Sequence, residues 1–210
     1  MAGTGITVTY DPGFTDDVHI FQTSQFYTAS GSSQSGLHCE YFNNQTLYGT
    51  PVYTGIDTRI NFSWGSGGPA ISGFPADHFS VRWTGVIRPQ ETGSHEFIIR
   101  SDDGCRLYLD NQLIIDGWKD QGATTYRKTR TLESGTEHTI KVEFYENEGE
   151  AVIQMGWHLP DPTNSLAIQH ASEADAAILC VGFDSPLEGE GFDRTFALPD
   201  DQDSLINAVA

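Results

Sequence analysis

Between residues 37 and 160 apolar and polar side chains alternate with a period of two, and nothing else in the sequence constrains the fold as strongly. Phe79, Val81 and Trp83 alternate with Ser80, Arg82 and Thr84. His95, Phe97 and Ile99 follow, then Leu107 and Leu109, Leu113 and Ile115, then Ile140, Val142 and Phe144, and finally the run from Val152 to Trp157. Asp110-Asn111-Gln112 predicts a tight connection between two of these strands. Short strands broken by Gly- and Asp-rich turns predict an antiparallel β-sandwich, with one face of each sheet in the core and one in solvent.

The two ends read differently. Residues 1–36 begin with one alternation, Ile6, Val8 and Tyr10, and a turn at Asp11-Pro12-Gly13. They then pass through a Ser-, Gln- and Gly-rich stretch over 28–36, the composition of a flexible linker, which predicts a boundary there. Beyond the break at Asp161-Pro162-Thr163-Asn164, the spacing predicts a helix over Ser165–Asp175. The apolar run Ala176–Phe183 predicts a strand buried on both faces of a parallel sheet, and Cys180 inside it a buried residue. A second helix is predicted from Asp200, with Leu205, Ile206 and Val209 on one side and acids at its positive end. So few elements cannot cover both faces of such a strand, and the chain ends inside the helical pattern. The expected fold is therefore mainly β. A sandwich over 37–160 lies between two partial segments, 1–36 and 161–210, of a truncated α/β-sandwich host domain in a longer parent.

Composition narrows the partners. Among 210 residues, 29 are acidic and 11 basic, a formal net charge of −18. Phosphate-backbone binding depends on Lys and Arg, so this balance argues against nucleic acid and against anionic lipid surfaces. No apolar run reaches the roughly 20 residues that a bilayer span needs. The first eight residues lack the basic start and apolar stretch of a signal peptide. Aromatics at 11% and hydrophobic residues at 38% fit a folded protein rather than an acidic tail. The three cysteines are too far apart for a Cys metal site, and the seven histidines show no i, i+4 pair of the metalloprotease kind.

Two stretches carry a family pattern. Gly36-Leu37-His38-Cys39-Glu40-Tyr41-Phe42, Phe79 to Gly85, Ser101-Asp102-Asp103-Gly104-Cys105-Arg106-Leu107-Tyr108-Leu109-Asp110, Val142-Glu143-Phe144-Tyr145-Glu146 and Gly156-Trp157 occur in that order. Together they resemble the protective-antigen-type (PA-fourteen) β-sandwich module of adhesins, toxins and carbohydrate-active enzymes. Val181-Gly182-Phe183-Asp184-Ser185-Pro186-Leu187-Glu188-Gly189-Glu190-Gly191-Phe192-Asp193-Arg194, with Leu198-Pro199, resembles the second domain of family-three glycoside hydrolases, the β-glucosidases above all. Some members of that family carry this module as an insertion in that domain. The resemblance implies part of a retaining, exo-acting hydrolase of an oligosaccharide or β-glucoside. The nucleophilic Asp would lie in a barrel domain of the same parent, so this chain alone would be inactive.

Retaining hydrolysis needs two carboxyls about 5–5.5 Å apart. The family's acid/base loop maps onto Gly189-Glu190-Gly191, which makes Glu190 the implied catalytic residue. Asp184, Glu188 and Asp193 crowd negative charge around it, which favours the protonated form a general acid needs, while Arg194 would oppose that. As a bare motif, the same loop reads first as a solvated turn; its place after a buried parallel strand, where α/β ligand sites gather, favours the catalytic reading. Asp102-Asp103-Gly104 reads first as a hairpin turn whose carboxylates bond to backbone amides. Its second reading, implied by sugar-binding adhesins with a similar module, is a Ca²⁺ site at Asp102 and Asp103, with the remaining ligands unidentified. Trp83 and Trp157 belong to the core. Trp118 and Trp64, placed as loop aromatics, are the candidate sugar platforms, against the plainer reading that they pack locally. Besides the hydrolase part, two alternatives stay open: a lectin-like module without catalysis, and a spacer without sugar affinity.

Overall fold

The structure, a computed structural model, describes residues 7–9, 20–22, 24–160, 165–181 and 202–210. The chain divides into two compact units, Met1–Asp16 with Asp161–Ala210, and Asp17–Pro160.

The second unit is an antiparallel sandwich of ten strands: β1 (Leu37–Phe42), β2 (Tyr53–Asp57), β3 (Ile60–Gly65), β4 (Phe79–Ile87), β5 (Gly93–Asp102), β6 (Gly104–Leu109), β7 (Gln112–Gly117), β8 (Thr124–Leu132), β9 (His138–Glu146) and β10 (Ala151–His158). Six form one sheet in the order β2-β1-β4-β9-β6-β7, and four form the other in the order β3-β10-β5-β8. The alternation places its apolar half between the sheets. Val81, Trp83, Phe97, Ile99, Leu107, Val142, Phe144, Ile153 and Met155 are all fully buried in one cluster. Trp83 turns its indole N–H to Asp57 Oδ2 at 2.7 Å, the oxygen that also accepts the Tyr41 hydroxyl at 2.8 Å. A buried aromatic polar group thus has the partner it needs. The predicted connection after Leu109 is a two-residue turn, with Asp110 and Asn111 both at positive φ (48° and 62°), the backbone of a type I′ hairpin.

Four expectations are corrected. The sandwich unit begins near residue 17 rather than 37: Ile20 and Phe21 cover Ile98 on the outer face of β5, and Phe26 lies in the main core. The Ser- and Gly-rich stretch is ordered, because Tyr27 bridges both Ser35 and Val86, and Glu137 binds Ser30 and the Gly31 amide. The run from Ala176 is not a strand over its described residues 176–181. No described strand pairs with it to take its backbone hydrogen bonds, and Ile178, Cys180 and Val181 are exposed. Residues 7–9 likewise form no strand, and Val8 is exposed. Both predicted helices are present, as α1 (Ser165–Glu173) and α2 (Gln202–Val209).

Candidate functional site

One end of the sandwich concentrates acid, and the strand pattern explains how. Along β9 the inward positions are Ile140, Val142 and Phe144, and the next inward position is Glu146. Its side chain is fully buried, and neither carboxylate oxygen has a hydrogen-bond partner. Burial, reinforced by the charges of Asp103, Asp102 and Asp77, pushes its pKa up to about 8. An unpartnered buried carboxylate is costly unless a proton or a cation neutralises it.

Asp102 and Asp103 reach the same place from the other sheet. Asp102 ends β5, which belongs to the four-stranded sheet, and Gly104 opens β6 in the six-stranded one. Asp103-Gly104 is therefore a crossing between sheets rather than the expected hairpin turn. Asp103 is buried and accepts the Gln121 amide on Oδ1 and the Asn147 amide on Oδ2, both at 2.8 Å, tying the β7–β8 and β9–β10 loops together. The half-buried Asp102 is pushed above the usual carboxylate range, chiefly by burial and then by Asp103. One oxygen from each of Asp102, Asp103 and Glu146 lies within 4.8 Å of the others. Three converging hard oxygen donors with a surplus of negative charge match what Ca²⁺ or Mg²⁺ selects. The donor set would suit a divalent cation, Glu146 adding a third carboxylate to the two aspartates read from sequence.

Trp118 lies beside this cluster. Its half-buried ring packs on Tyr145 (centroids 4.7 Å apart), and the Arg106 guanidinium sits 4.5 Å over it. Tyr145 immediately precedes Glu146 and donates its hydroxyl to Asp120 at 2.7 Å; burial, then that bond, raises its pKa. Its ring occupies the space above Gly104, where a Cβ would stand 2.0 Å from it. Trp64 is corrected: it lies inside β3, stacked on Phe62 at 4.9 Å and edge-on to Phe79, so its ring is part of the packing. Glu190 falls outside the described residues.

Glu146 is the site residue that sequence reasoning did not single out. Its signal was parity, since it stands two residues beyond Phe144 on the face that the alternation sends inward.

Comparison with known proteins places these features. The profile described as PA14 domain matches residues 33–171. The anti-sigma-I factor RsgI3 of Acetivibrio thermocellus is 38% identical over 130 residues, 62% of this chain and 20% of that protein. A β-glucosidase of Rhizobium radiobacter is 27% identical over 192 residues, 81% of this chain and 23% of that one. The crystal structure of a β-glucosidase from Kluyveromyces marxianus, in complex with glucose, superposes with a TM-score of 0.60 at 25% identity, covering 89% of this chain and 24% of that one. The chain thus spans about one fifth of the length of the curated relatives it matches.

Proposed function

This chain belongs to the PA14 domain family, and from that premise we propose that it is the carbohydrate-facing sandwich, with its flanks, of a retaining β-glucosidase-like glycoside hydrolase. One observation carries this reading. Similarity to the Rhizobium β-glucosidase covers 81% of the chain and superposition on the Kluyveromyces β-glucosidase 89%, more than the sandwich unit Asp17–Pro160 occupies, whereas similarity to the anti-sigma-I factor covers 62%. In this reading the sandwich narrows the mouth of the active site and favours short oligosaccharides or aryl glycosides. Glu190 first protonates the departing glycosidic oxygen and then takes a proton from the attacking water. A barrel domain of the same parent supplies the nucleophilic Asp. The test is hydrolysis of an aryl β-glucoside by the parent carrying Glu190→Ala. Turnover of poor leaving groups should fall most, azide should partly restore activated substrates, and the isolated 210-residue chain should be silent. Unchanged turnover removes the assignment.

The buried, unpartnered carboxylate of Glu146 supports a second reading, a lectin-like site in which Asp102, Asp103 and Glu146 hold Ca²⁺. Such an ion would supply open ligand positions for sugar hydroxyls, beside the aromatic face of Trp118. Calorimetric titration of the chain with CaCl₂ decides it. Binding should be reversed by a chelator and weakened at least tenfold by Glu146→Gln; absence of binding at millimolar Ca²⁺ overturns it.

A further inference from the structure

The outer face of the six-stranded sheet carries a trench between two ridges. The first ridge is a ladder of alternating charge running straight across five strands: Glu40, Arg82, Glu143, Arg106 and Asp116 stand opposite one another on β1, β4, β9, β6 and β7. Arg82 is 3.1 Å from Glu40 and 3.6 Å from Glu143, and Arg106 is 3.2 Å from Asp116. The second ridge is formed by residues 28–30, which line one of the depressions; they follow Tyr27, paired backbone to backbone with Val86 near the end of β4, and are held down by Glu137. Between them runs the row Ile56, His38, Thr84, Lys141 and Tyr108, on β2, β1, β4, β9 and β6. Thr84 is the shortest side chain of that row. Two depressions, of about 600 and 380 Å³, meet at it. Five strands at the usual spacing make the row about 19 Å long, the length of several linked sugar units.

Its chemistry selects a ligand class. The ladder's charges are matched in sign, and Lys141 is matched by Glu143 at 3.2 Å while its ammonium lies 3.7 Å from the Tyr108 ring centroid. The trench therefore offers no surplus charge to attract an ion, and the overall charge of −18 repels anions. What remains is uncharged hydrogen bonding: no partner is recorded among the described residues for the side chains of His38, Thr54, Thr84 or Asn111. Ile56 and the Tyr108 ring add apolar surface at its two ends. We propose that this trench binds a neutral oligosaccharide lengthwise, perpendicular to the strands, at a site separate from the Asp102–Asp103–Glu146 cluster. The proposal rests on the carbohydrate-facing reading for the class of its ligand, though not for its location.

The test is titration of the isotopically labelled 210-residue chain with cellohexaose, with and without EDTA, followed by amide chemical-shift changes. Shifts should concentrate at His38, Thr84, Lys141 and Tyr108, survive the chelator and survive Asp103→Asn. Thr84→Phe, which plugs the trench, and Tyr108→Ala should each weaken binding at least tenfold. If Thr84→Phe loses its fold by circular dichroism, the wild-type shift map and Tyr108→Ala decide. No shifts in the trench at millimolar cellohexaose, shifts abolished by EDTA, or tighter binding of anionic oligogalacturonate each overturn the proposal. A silent trench beside a Glu190-dependent parent sinks this inference alone. A binding trench beside a parent indifferent to Glu190→Ala sinks the hydrolase reading alone.

Discussion

Carboxylate oxygens of Asp103 and Glu146 lie within 4.8 Å of each other, although one comes from the crossing between sheets and the other from the inward face of β9. The pairing makes stability depend on pH in a definite direction. Folding raises the Glu146 pKa from the usual 4.5 to about 8, so between those values the folded chain holds a proton that the unfolded chain releases. The contribution is complete below about pH 4.5 and is lost as pH rises through 8. At about 1.4 kcal/mol per unit, a few kcal/mol are at stake. Melting temperature should fall from pH 5 to pH 8.5 in EDTA, and Glu146→Gln should flatten the slope; an identical slope in the variant contradicts this.

Gly104→Ala should disturb the same end by packing alone. The added Cβ meets the Tyr145 ring at 2.0 Å, and the ring is fixed by Asp120 and Trp118. Overpacking of this kind costs about 1–3 kcal/mol. Denaturant midpoints should show the loss, and Trp118 fluorescence should change as Tyr145 is displaced.

Asp57→Ala tests the polar contact beneath the core. It strips the Trp83 indole and the Tyr41 hydroxyl of their shared acceptor, and a buried donor left unsatisfied costs about 1–3 kcal/mol. Asp57→Asn, which keeps an acceptor oxygen, should recover much of the loss in chemical denaturation.

Glu137 latches residues 30–31 to the sandwich. The Ser30 hydroxyl, then the Gly31 amide, then Arg88 at 2.6 Å hold its carboxyl down at about 2. This contribution is present above pH 4.5 and disappears as pH falls toward 2. Hydrogen exchange at the Gly31 amide should quicken at least tenfold in Glu137→Ala, and unchanged protection would show that the latch holds nothing.

The strands visible in the sequence are those with a core face: β4, β5, β6, β7, β9 and β10 announce themselves by alternation. The edge strand β8 does not. Thr124–Leu132 carries Arg127, Lys128 and Arg130 and buries only Leu132, because an edge guards against further pairing with charge rather than with apolar residues. Trp64 was misplaced for a related reason: the Gly and Ser residues after it look like a loop, yet the tryptophan itself lies within a strand. At the site, the Asp102-Asp103 pair is legible as a local motif. Its meeting with Glu146 depends on which sheet each strand joins, and no local pattern encodes that.

The Trp157 amide donates to the Ser24 hydroxyl at 3.0 Å, and Gly156 leaves room for the Ile20 carbonyl, where a Cβ would stand 2.9 Å from it. Where the sandwich starts and where it finishes are therefore stitched side by side. A body whose two leads emerge together can be spliced into a surface turn of almost any carrier without prying that carrier apart, and can be shuffled between unrelated architectures as a self-contained cassette.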